Sequence, residues 1–302
     1  MNGPDDIEAF SYAASDDPPL KRFLIRTIER ASGQPYLVWL YRDYQKQPVR
    51  ESFWDAAVKR LELKLVYDEE KLAAWPKSGP LVVVANHPFG ALDGLVMCHL
   101  VAKVRPDFLV LTNSVLYRVE EVKPWLLPID FAENQAAIKT NLASRATAKA
   151  HLMAGGCLVI FPAGGVSTTP HIWDKEAVDA DWKTFAARMI VQARASVAPV
   201  FFAGQNSLLF QIASHLSMTL RLSLLFKEVH DKIGSEVRVR IGEVVPYEAL
   251  SSITDRQALM QHLRTLTYAL GEGVAKPSRS RVKRPRRAPR GVGSFEALAG
   301  AA

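Results

Sequence analysis

The sequence has few cysteines and no long uninterrupted apolar run. Among 302 residues only Cys98 and Cys157 are cysteines, and each lies in or beside an apolar stretch, which indicates buried reduced thiols rather than a disulfide framework. No stretch approaches the roughly 18 apolar residues of a membrane-spanning helix. The acidic first 17 residues also lack the charged start and apolar block of a secretory signal. We therefore expect a protein of a reducing compartment, either soluble or bound to a membrane surface.

Two kinds of catalytic motif are also missing from the chain. No Cys and His cluster has the spacing of metal ligands, so we expect no metal site. No G-x-S-x-G sequence occurs, which disfavours a serine hydrolase built around a nucleophile elbow.

The positive charge is concentrated near the carboxyl terminus. Residues 276–290 hold eight Lys and Arg side chains and no acid, against a net charge of +7 for the whole chain. The rest of the chain is thus close to neutral, and its charge does not indicate a specific nucleic-acid partner. Residues 273–302 have the composition of a basic, disordered tail. Such a tail can adsorb to anionic lipid headgroups, attract an acidic protein, or bind nucleic acid without specificity. Alternatively, it is a dispensable solvated extension.

An extension at residues 1–18 precedes a helical segment, which we place at residues 19–65. Apolar residues at helical spacing, with basic residues between them, predict an amphipathic helix at residues 19–31. Residues 36–44 are rich in aromatic side chains, and a third helix is predicted at residues 53–63. These helices can sit at a membrane interface. Alternatively, they form a helical hairpin packed on the main domain, which we place at residues 66–272.

Short apolar runs alternate with longer helical patterns after residue 80. The runs predict strands at residues 81–85, 108–111, 158–161, 198–203 and 237–241, the first four buried on both faces. Helices are predicted at residues 95–104, 135–154, 182–196 and 253–270, whereas residues 205–226 fit both a strand and a helix. The alternation predicts an α/β fold, with a largely parallel or mixed central sheet flanked by helices and preceded by the N-terminal helical segment.

The first strand runs directly into Asn-His-Pro-Phe-Gly-Ala-Leu-Asp-Gly at residues 86–94. His87 at the strand end can act as a general base. Asp93 can accept its Nδ1 proton and leave Nε2 free to take a proton from an attacking hydroxyl or amine. The alternative is structural: Asp93 caps the next helix and His87 is hydrogen-bonded in the loop.

A second loop of small residues follows the strand at residues 158–161. Its sequence is Pro-Ala-Gly-Gly-Val-Ser at residues 162–167. Small residues let backbone N–H groups approach a ligand oxygen, and Ser167 adds a hydroxyl. Ligand sites of open α/β sheets lie beyond the carboxyl ends of the strands. Both loops occupy such positions, and the second could hold a carbonyl, a phosphate or a carboxylate.

Together the two loops resemble the lysophospholipid and glycerolipid acyltransferase superfamily. Its members carry an N-H-x4-D block after one strand and an F-P-E-G-T-R-S-like block after a later one. The chain is similar to a bacterial hemolysin-like branch that includes ornithine-lipid acyltransferases, with N-H-P-F-G-x-x-D-G and F-P-A-G-E-V-S. The likeness extends over about residues 20–250. It implies an α/β acyltransferase fold, peripheral membrane binding, an acyl-CoA or acyl-carrier-protein donor, and no metal.

Two departures from the superfamily pattern bear on function. Five residues, not four, separate His87 from Asp93, and Gly90 can supply the bend that lets them meet. Because Arg suits bidentate phosphate contact, its loss from the second block argues against a glycerol-phosphate acceptor and favours a lysolipid with another headgroup. The changed positions are Ala163 in place of the superfamily Glu, Val166 in place of its Arg, and Gly165 where the similar branch has Glu.

The resemblance implies an O-acyltransferase that moves a fatty acyl group from acyl-CoA or acyl-carrier protein to a lyso-ornithine lipid or lysophospholipid. His87 and Asp93 are the expected catalytic pair. We expect no cofactor, and a location on the inner face of the cytoplasmic membrane, aided by the basic tail. The change at Gly165 keeps open a catalytically weak lipid-binding protein on the same scaffold. The predicted substrate-binding residues are Asn86, Phe89, Gly90, Phe161, Pro162, Ala163, Gly164, Gly165 and Ser167.

The other histidines are weaker candidates for chemistry. His171 follows the second block with Asp174 nearby, so a substrate contact is conceivable. The remaining candidates have the setting of helix-surface or core-edge residues, and they are His99, His151, His215 and His262.

Overall fold

The computed structural model describes residues 11, 13, 17–47, 51–113, 116, 119–130 and 134–274. Most of the predicted extension at residues 1–18 and nearly all of the basic tail at residues 273–302 lie outside this part of the chain. The strands are β1 (Lys64–Val66), β2 (Leu81–Ala85), β3 (Phe108–Asn113), β4 (Leu126–Ile129), β5 (Cys157–Ile160), β6 (Ser196–Ala203) and β7 (Glu236–Ile241). The helices are α1 (Pro19–Ala31), α2 (Gln34–Gln45), α3 (Phe53–Arg60), α4 (Glu69–Ala73), α5 (Ala91–Ala102), α6 (Gln135–Met153), α7 (Phe185–Ala193), α8 (Leu208–Leu216), α9 (Met218–Ser223), α10 (Leu225–Asp231), α11 (Tyr247–Leu250) and α12 (Arg256–Ala269), with a 3-10 turn at Glu120–Trp125.

The strands form one mixed sheet in the order β1-β7-β6-β2-β5-β3-β4. Neighbours run parallel except β6 and β7, which are antiparallel. The predicted α/β class with a largely parallel or mixed sheet is therefore confirmed. In the centre, β2 pairs with β5 on one side and with β6 on the other. The loops that follow β2 and β5 thus leave the sheet side by side at its carboxyl edge.

Helices cover both faces of the sheet. Alternate residues of β2 point to opposite faces, so Val83 packs with α2, α3 and α5, while Val84 packs with α6, α7 and α12. Because buried residues of α2 and α3 belong to the same core as the sheet, the N-terminal helices are packed on the main domain. Strand β1 spans the predicted boundary between residues 65 and 66 and pairs with β7.

Two strand predictions need correction. We expected the strand at residues 108–111 to be buried on both faces, but β3 alternates between buried and half-buried residues. It lies next to the edge strand β4, and its last residues, Leu111, Thr112 and Asn113, border a cavity. Strand β4 itself was missed because it is short and contains Pro128, a residue tolerated at sheet edges since it cannot donate a ladder hydrogen bond.

The ambiguous stretch at residues 205–226 folds as helices α8 and α9 and the start of α10. Two serines begin these helices, because Ser207 accepts the N–H of Phe210 and Ser217 accepts the N–H of Thr219 through their side chains. The break at Ser217 divides a run of leucines between two short helices. The run therefore alternates like a strand in sequence without forming one.

Both cysteines are buried free thiols, as predicted. Burial raises the pKa of Cys157 to about 12, so this thiol stays protonated and unreactive. In the described ranges, no helix is both long and apolar enough to cross a bilayer.

Candidate active site

His87 and Asp93 meet at the turn between β2 and α5. Gly90 has a φ angle of 77°, which favours glycine, and α5 begins at the next residue. The bend brings Nδ1 of His87 to 3.1 Å from Oδ2 of Asp93, although the N–H direction is less favourable than in a regular hydrogen bond. The bend at Gly90 therefore accommodates the fifth residue between His87 and Asp93. A Cβ atom there would lie 3.1 Å from side chains of Leu225 and Val166, so the bend is also tightly packed.

One carboxylate oxygen of Asp93 contacts both the backbone at the start of α5 and the ring of His87. Its Oδ2 accepts the backbone N–H of Phe89 at 2.7 Å and that of Gly90 at 2.9 Å, and it also faces His87. Burial raises the pKa of Asp93 above its ordinary value, while His87 and the two N–H groups act in the opposite direction. The two roles considered for Asp93 are therefore compatible: it caps the start of α5, and it also lies beside His87.

His87 is held from several sides. Its ring packs against Phe161, with 4.3 Å between the ring centres. Its backbone N–H donates to Oδ1 of Asp179 at 3.1 Å, and its carbonyl accepts the N–H of Ser167 at 2.8 Å. Since Nδ1 is turned towards Asp93, Nε2 is the ring nitrogen left to receive a substrate proton. The side chain is 18% exposed and borders a cavity.

The loop after β5 lies beside His87 because β2 and β5 are paired in register, with Val84 opposite Ile160. In this loop Gly164 has a φ angle of 71°, and its N–H donates to the carbonyl of Phe161 at 3.0 Å, which closes a tight turn. Five predicted substrate-binding residues line the cavity at this point, namely Gly90, Phe161, Pro162, Gly164 and Gly165.

The other predicted substrate-binding residues are engaged within the protein. Asn86 joins the end of β2 to β6, because its amide accepts and donates hydrogen bonds of 2.7 and 3.0 Å with the backbone of one β6 residue. Ser167 donates to Asp179 at 2.5 Å. Phe89 and Ala163 are buried. Substrate contacts of these four residues stay predictions.

A cavity of about 850 Å³ opens beside His87. Its size falls in the range of small-molecule sites. The lining is mainly apolar and is drawn from both the N-terminal helices and the main domain, as Leu40, Trp54, Leu95 and Phe226 illustrate. Since each buried methylene contributes about 0.8 kcal/mol, such a lining can hold a hydrocarbon chain.

Residues 11–275 match the sequence model of a family described as acyltransferase. The chain belongs to the acyltransferase family. It is similar to the lyso-glycine lipid O-acyltransferase of Phocaeicola vulgatus, with 23% identity over 261 residues, 83% of this chain and 88% of the relative. The enzyme of the same name from Bacteroides thetaiotaomicron is 21% identical over 258 residues, 83% of this chain and 91% of the relative. A solved structure, the 1-acyl-sn-glycerophosphate acyltransferase of Thermotoga maritima, has a TM-score of 0.45 and 14% identity, covering 83% of this chain and 95% of that one.

Among the histidines of the acyltransferase, only His87 lines this cavity in the part of the chain that the structure describes. His99 has a separate partner, since its Nδ1 lies 2.7 Å from Oδ1 of Asp55. His171 lies 3.0 Å from Asp174 on the exposed surface, where its ring stacks on Trp173. Across the same described residues, no group of three or more Cys, His, Asp and Glu side chains could hold a metal ion.

Asp179 is a buried residue that the sequence did not reveal. Its Oδ1 accepts both the His87 N–H and the Ser167 hydroxyl, and its Oδ2 accepts the indole N–H of Trp182 at 2.9 Å. It therefore ties the loop after β2 to the loop after β5. The only sequence signal is its position shortly before a tryptophan. Because Asp179 lies outside any helix or strand, periodicity does not reveal its partners.

Replacing Asp179 with alanine should lower the free energy of unfolding of the acyltransferase by about 2–4 kcal/mol, because several buried donors lose their acceptor at once. Urea denaturation measures the loss. The matched control is Asp181→Ala, since Asp181 is an exposed carboxylate in the same segment, and its effect should stay within about 0.5 kcal/mol. Equal stability of the two variants would contradict the bridging role of Asp179.

Proposed function

We propose that the protein is an O-acyltransferase that moves a fatty acyl group from a thioester donor, acyl-CoA or acyl-carrier protein, to the hydroxyl of a lysolipid. The observation that carries this proposal is the His87–Asp93 pair beside a large apolar cavity. The names of the relatives support it, since both are lyso-glycine lipid O-acyltransferases. We favour a lysolipid with an amino-acid headgroup as the acceptor.

In the proposed reaction, Nε2 of His87 takes the proton of the acceptor hydroxyl as its oxygen attacks the thioester carbonyl carbon. A new C–O bond forms, and the carbonyl oxygen carries the negative charge of the tetrahedral intermediate. When the intermediate collapses, the C–S bond breaks and the thiolate takes the proton from the imidazolium. Asp93 holds the ring and balances its positive charge in between.

Backbone N–H groups of the second loop are the proposed donors to the oxyanion. The N–H of Gly164 is already bonded to Phe161. The N–H of Gly165 has no acceptor in the described residues, so it is the better candidate for this role. A preformed donor of this kind stabilises the intermediate without reorganisation during the reaction.

The route of the lipid to the cavity is also part of the proposal. Exposed apolar side chains lie on α1 and on the neighbouring α8 and α9, which pack together. Leu20, Phe23, Leu216 and Met218 are 80%, 69%, 67% and 63% exposed, and Met218 also borders the cavity. We propose that this apolar face, with the basic residues of α1, rests on the inner surface of the cytoplasmic membrane. The proposed contribution of the tail concerns residues outside the described part.

Changing Leu20 and Phe23 together to glutamate should weaken binding to anionic vesicles by about tenfold or more, because two large apolar side chains no longer enter the interface. Vesicle co-sedimentation measures the change. Leu142→Glu is the matched control, since Leu142 is 60% exposed on α6 and should leave vesicle binding unaltered. The double variant should keep its activity on detergent-dispersed lysolipid. Loss of that activity would indicate a folding defect rather than weakened membrane binding.

The direct test of the function combines purified full-length protein with acyl-CoA or acyl-carrier-protein donors and a panel of lysolipids. Mass spectrometry identifies the products. Acylated lyso-glycine or lyso-ornithine lipid, formed in proportion to time and enzyme, is the expected result. Stoichiometric donor binding without turnover on any acceptor would instead support the catalytically weak lipid-binding alternative.

A further inference from the structure

Two cationic side chains lie against the glycines of the second loop. A Cβ atom placed on Gly164 would lie 2.9 Å from Nζ of Lys183, and one on Gly165 would lie 3.7 Å from Nη2 of Arg221. Both side chains line the same cavity as His87. Lys183 comes from the segment before α7 and Arg221 from α9, so they reach the turn from different parts of the chain.

Within the described residues, neither cation forms an ion pair with a carboxylate. Arg221 donates to the carbonyl of Val166 and lies over the ring of Phe210 at 5.9 Å. Burial lowers its pKa, which reflects the cost of removing the charge from water without a counterion. Another cavity-lining arginine, Arg60, differs because it is paired with two acidic side chains. An anion beside Arg221 would therefore be stabilised by a charge that the protein leaves unbalanced.

Because residue 165 is a glycine, it offers no side chain that could pair with Arg221, and the guanidinium can bind a ligand. A glutamate side chain at this position would start 3.7 Å from Nη2 and could pair with the guanidinium. The glycine removes that internal partner and leaves space at the turn. Arg221 thus brings a cation from α9 to this loop.

We propose that Lys183 and Arg221, with the turn at Gly164 and Gly165, form a subsite for an oxyanion on the headgroup of the acceptor. This inference rests on the proposed function and specifies its acceptor. The shared chemistry is a carboxylate or a phosphate held by two cations and backbone N–H groups. A headgroup bound there lies in the cavity that His87 borders, so the subsite would select lysolipids by charge.

Steady-state kinetics with three acceptors tests the subsite: a lyso-glycine lipid with a free carboxylate, its methyl ester, and a lysophosphatidic acid. Arg221→Gln and Gly165→Glu should raise KM for the charged acceptors by about 10- to 100-fold, because a charge-assisted contact is lost. Lys183→Gln should act in the same direction. In Arg221→Gln and Lys183→Gln the value of kcat should change little, because binding by these two side chains is present in both ground state and transition state. KM for the methyl ester should stay within about threefold of wild type.

Matched variants separate charge from folding. Gly165→Gln has nearly the size of Gly165→Glu without its charge, so KM for the charged acceptors should be lower in Gly165→Gln than in Gly165→Glu. Arg221→Lys should recover part of the lost affinity. Arg188→Gln removes an exposed arginine of α7 outside the cavity lining and should have no effect. The ratio of KM for the carboxylate and phosphate acceptors identifies which oxyanion the subsite takes.

Three outcomes would overturn the subsite. Equal use of the free acid and its methyl ester by the wild type is the first, and unchanged acceptor KM in Arg221→Gln is the second. The third is a rise in KM for acyl-CoA alone in the variants, which would place a phosphate group of the donor at the two cations.

If no acceptor turns over, calorimetric binding of N-acylglycine and of its methyl ester to the wild type tests the subsite independently of catalysis. The subsite requires tighter binding of the acid, and Gly165→Glu should remove that preference.

Discussion

Replacing His87 with alanine should lower kcat for acyl transfer by about 10²- to 10⁴-fold, the usual contribution of a general base. Without the imidazole, the acceptor hydroxyl must lose its proton to water while the thioester is attacked. Initial rates with product detection by mass measure the loss. KM for the acceptor should change little, because the apolar lining and the turn at Gly164 remain.

The matched control for His87 is His262→Ala, since His262 is exposed on α12 and lies outside the cavity. It should retain full activity. Thermal unfolding of His87→Ala should stay cooperative, because the ring is partly exposed and its backbone contacts to Asp179 and Ser167 do not need the side chain. A folded His87→Ala protein with wild-type kcat would falsify the general-base mechanism.

Short-range patterns were enough to predict that His87 and Asp93 lie close together. The apolar run of β2 marks a buried strand, and the small residues after β2 and β5 mark the turns beyond their carboxyl ends. His87, Gly90 and Asp93 lie within seven consecutive residues, so their proximity depends only on one turn and the start of one helix. A local arrangement of this kind is visible in the sequence because no distant segment is needed to build it.

The supporting residues depend on long-range packing and could not be predicted. Asp179 and Arg221 lie far along the chain from His87, and they reach the loops through an irregular segment and a short helix. Strand β1 has only three residues, too few to show a period. Apolar spacing identifies faces of helices and strands, but it does not say which charged side chain from another element will enter a cavity.

The second large effect is expected for Asp93→Asn, which should lower kcat by about 10²- to 10⁴-fold. The amide oxygen of asparagine can still accept the N–H groups of Phe89 and Gly90, so the start of α5 is retained. The amide is neutral, however, and cannot balance the imidazolium that forms when His87 takes the proton.

Asp255→Asn is the matched control because Asp255 is also a carboxylate at the start of a helix: it caps α12 by accepting the Ala258 N–H at 2.7 Å, and no histidine faces it in the part of the chain that the structure describes. If Asp93 acted only as a helix cap, the two substitutions would have similar, small effects on both stability and rate. If Asp93 also supports His87, only Asp93→Asn lowers kcat, while Asp93→Ala lowers kcat and additionally loses about 1 kcal/mol of capping energy. Parallel urea denaturation and initial-rate measurements on the three variants separate the two roles, and a wild-type kcat in Asp93→Asn would assign Asp93 to the cap alone.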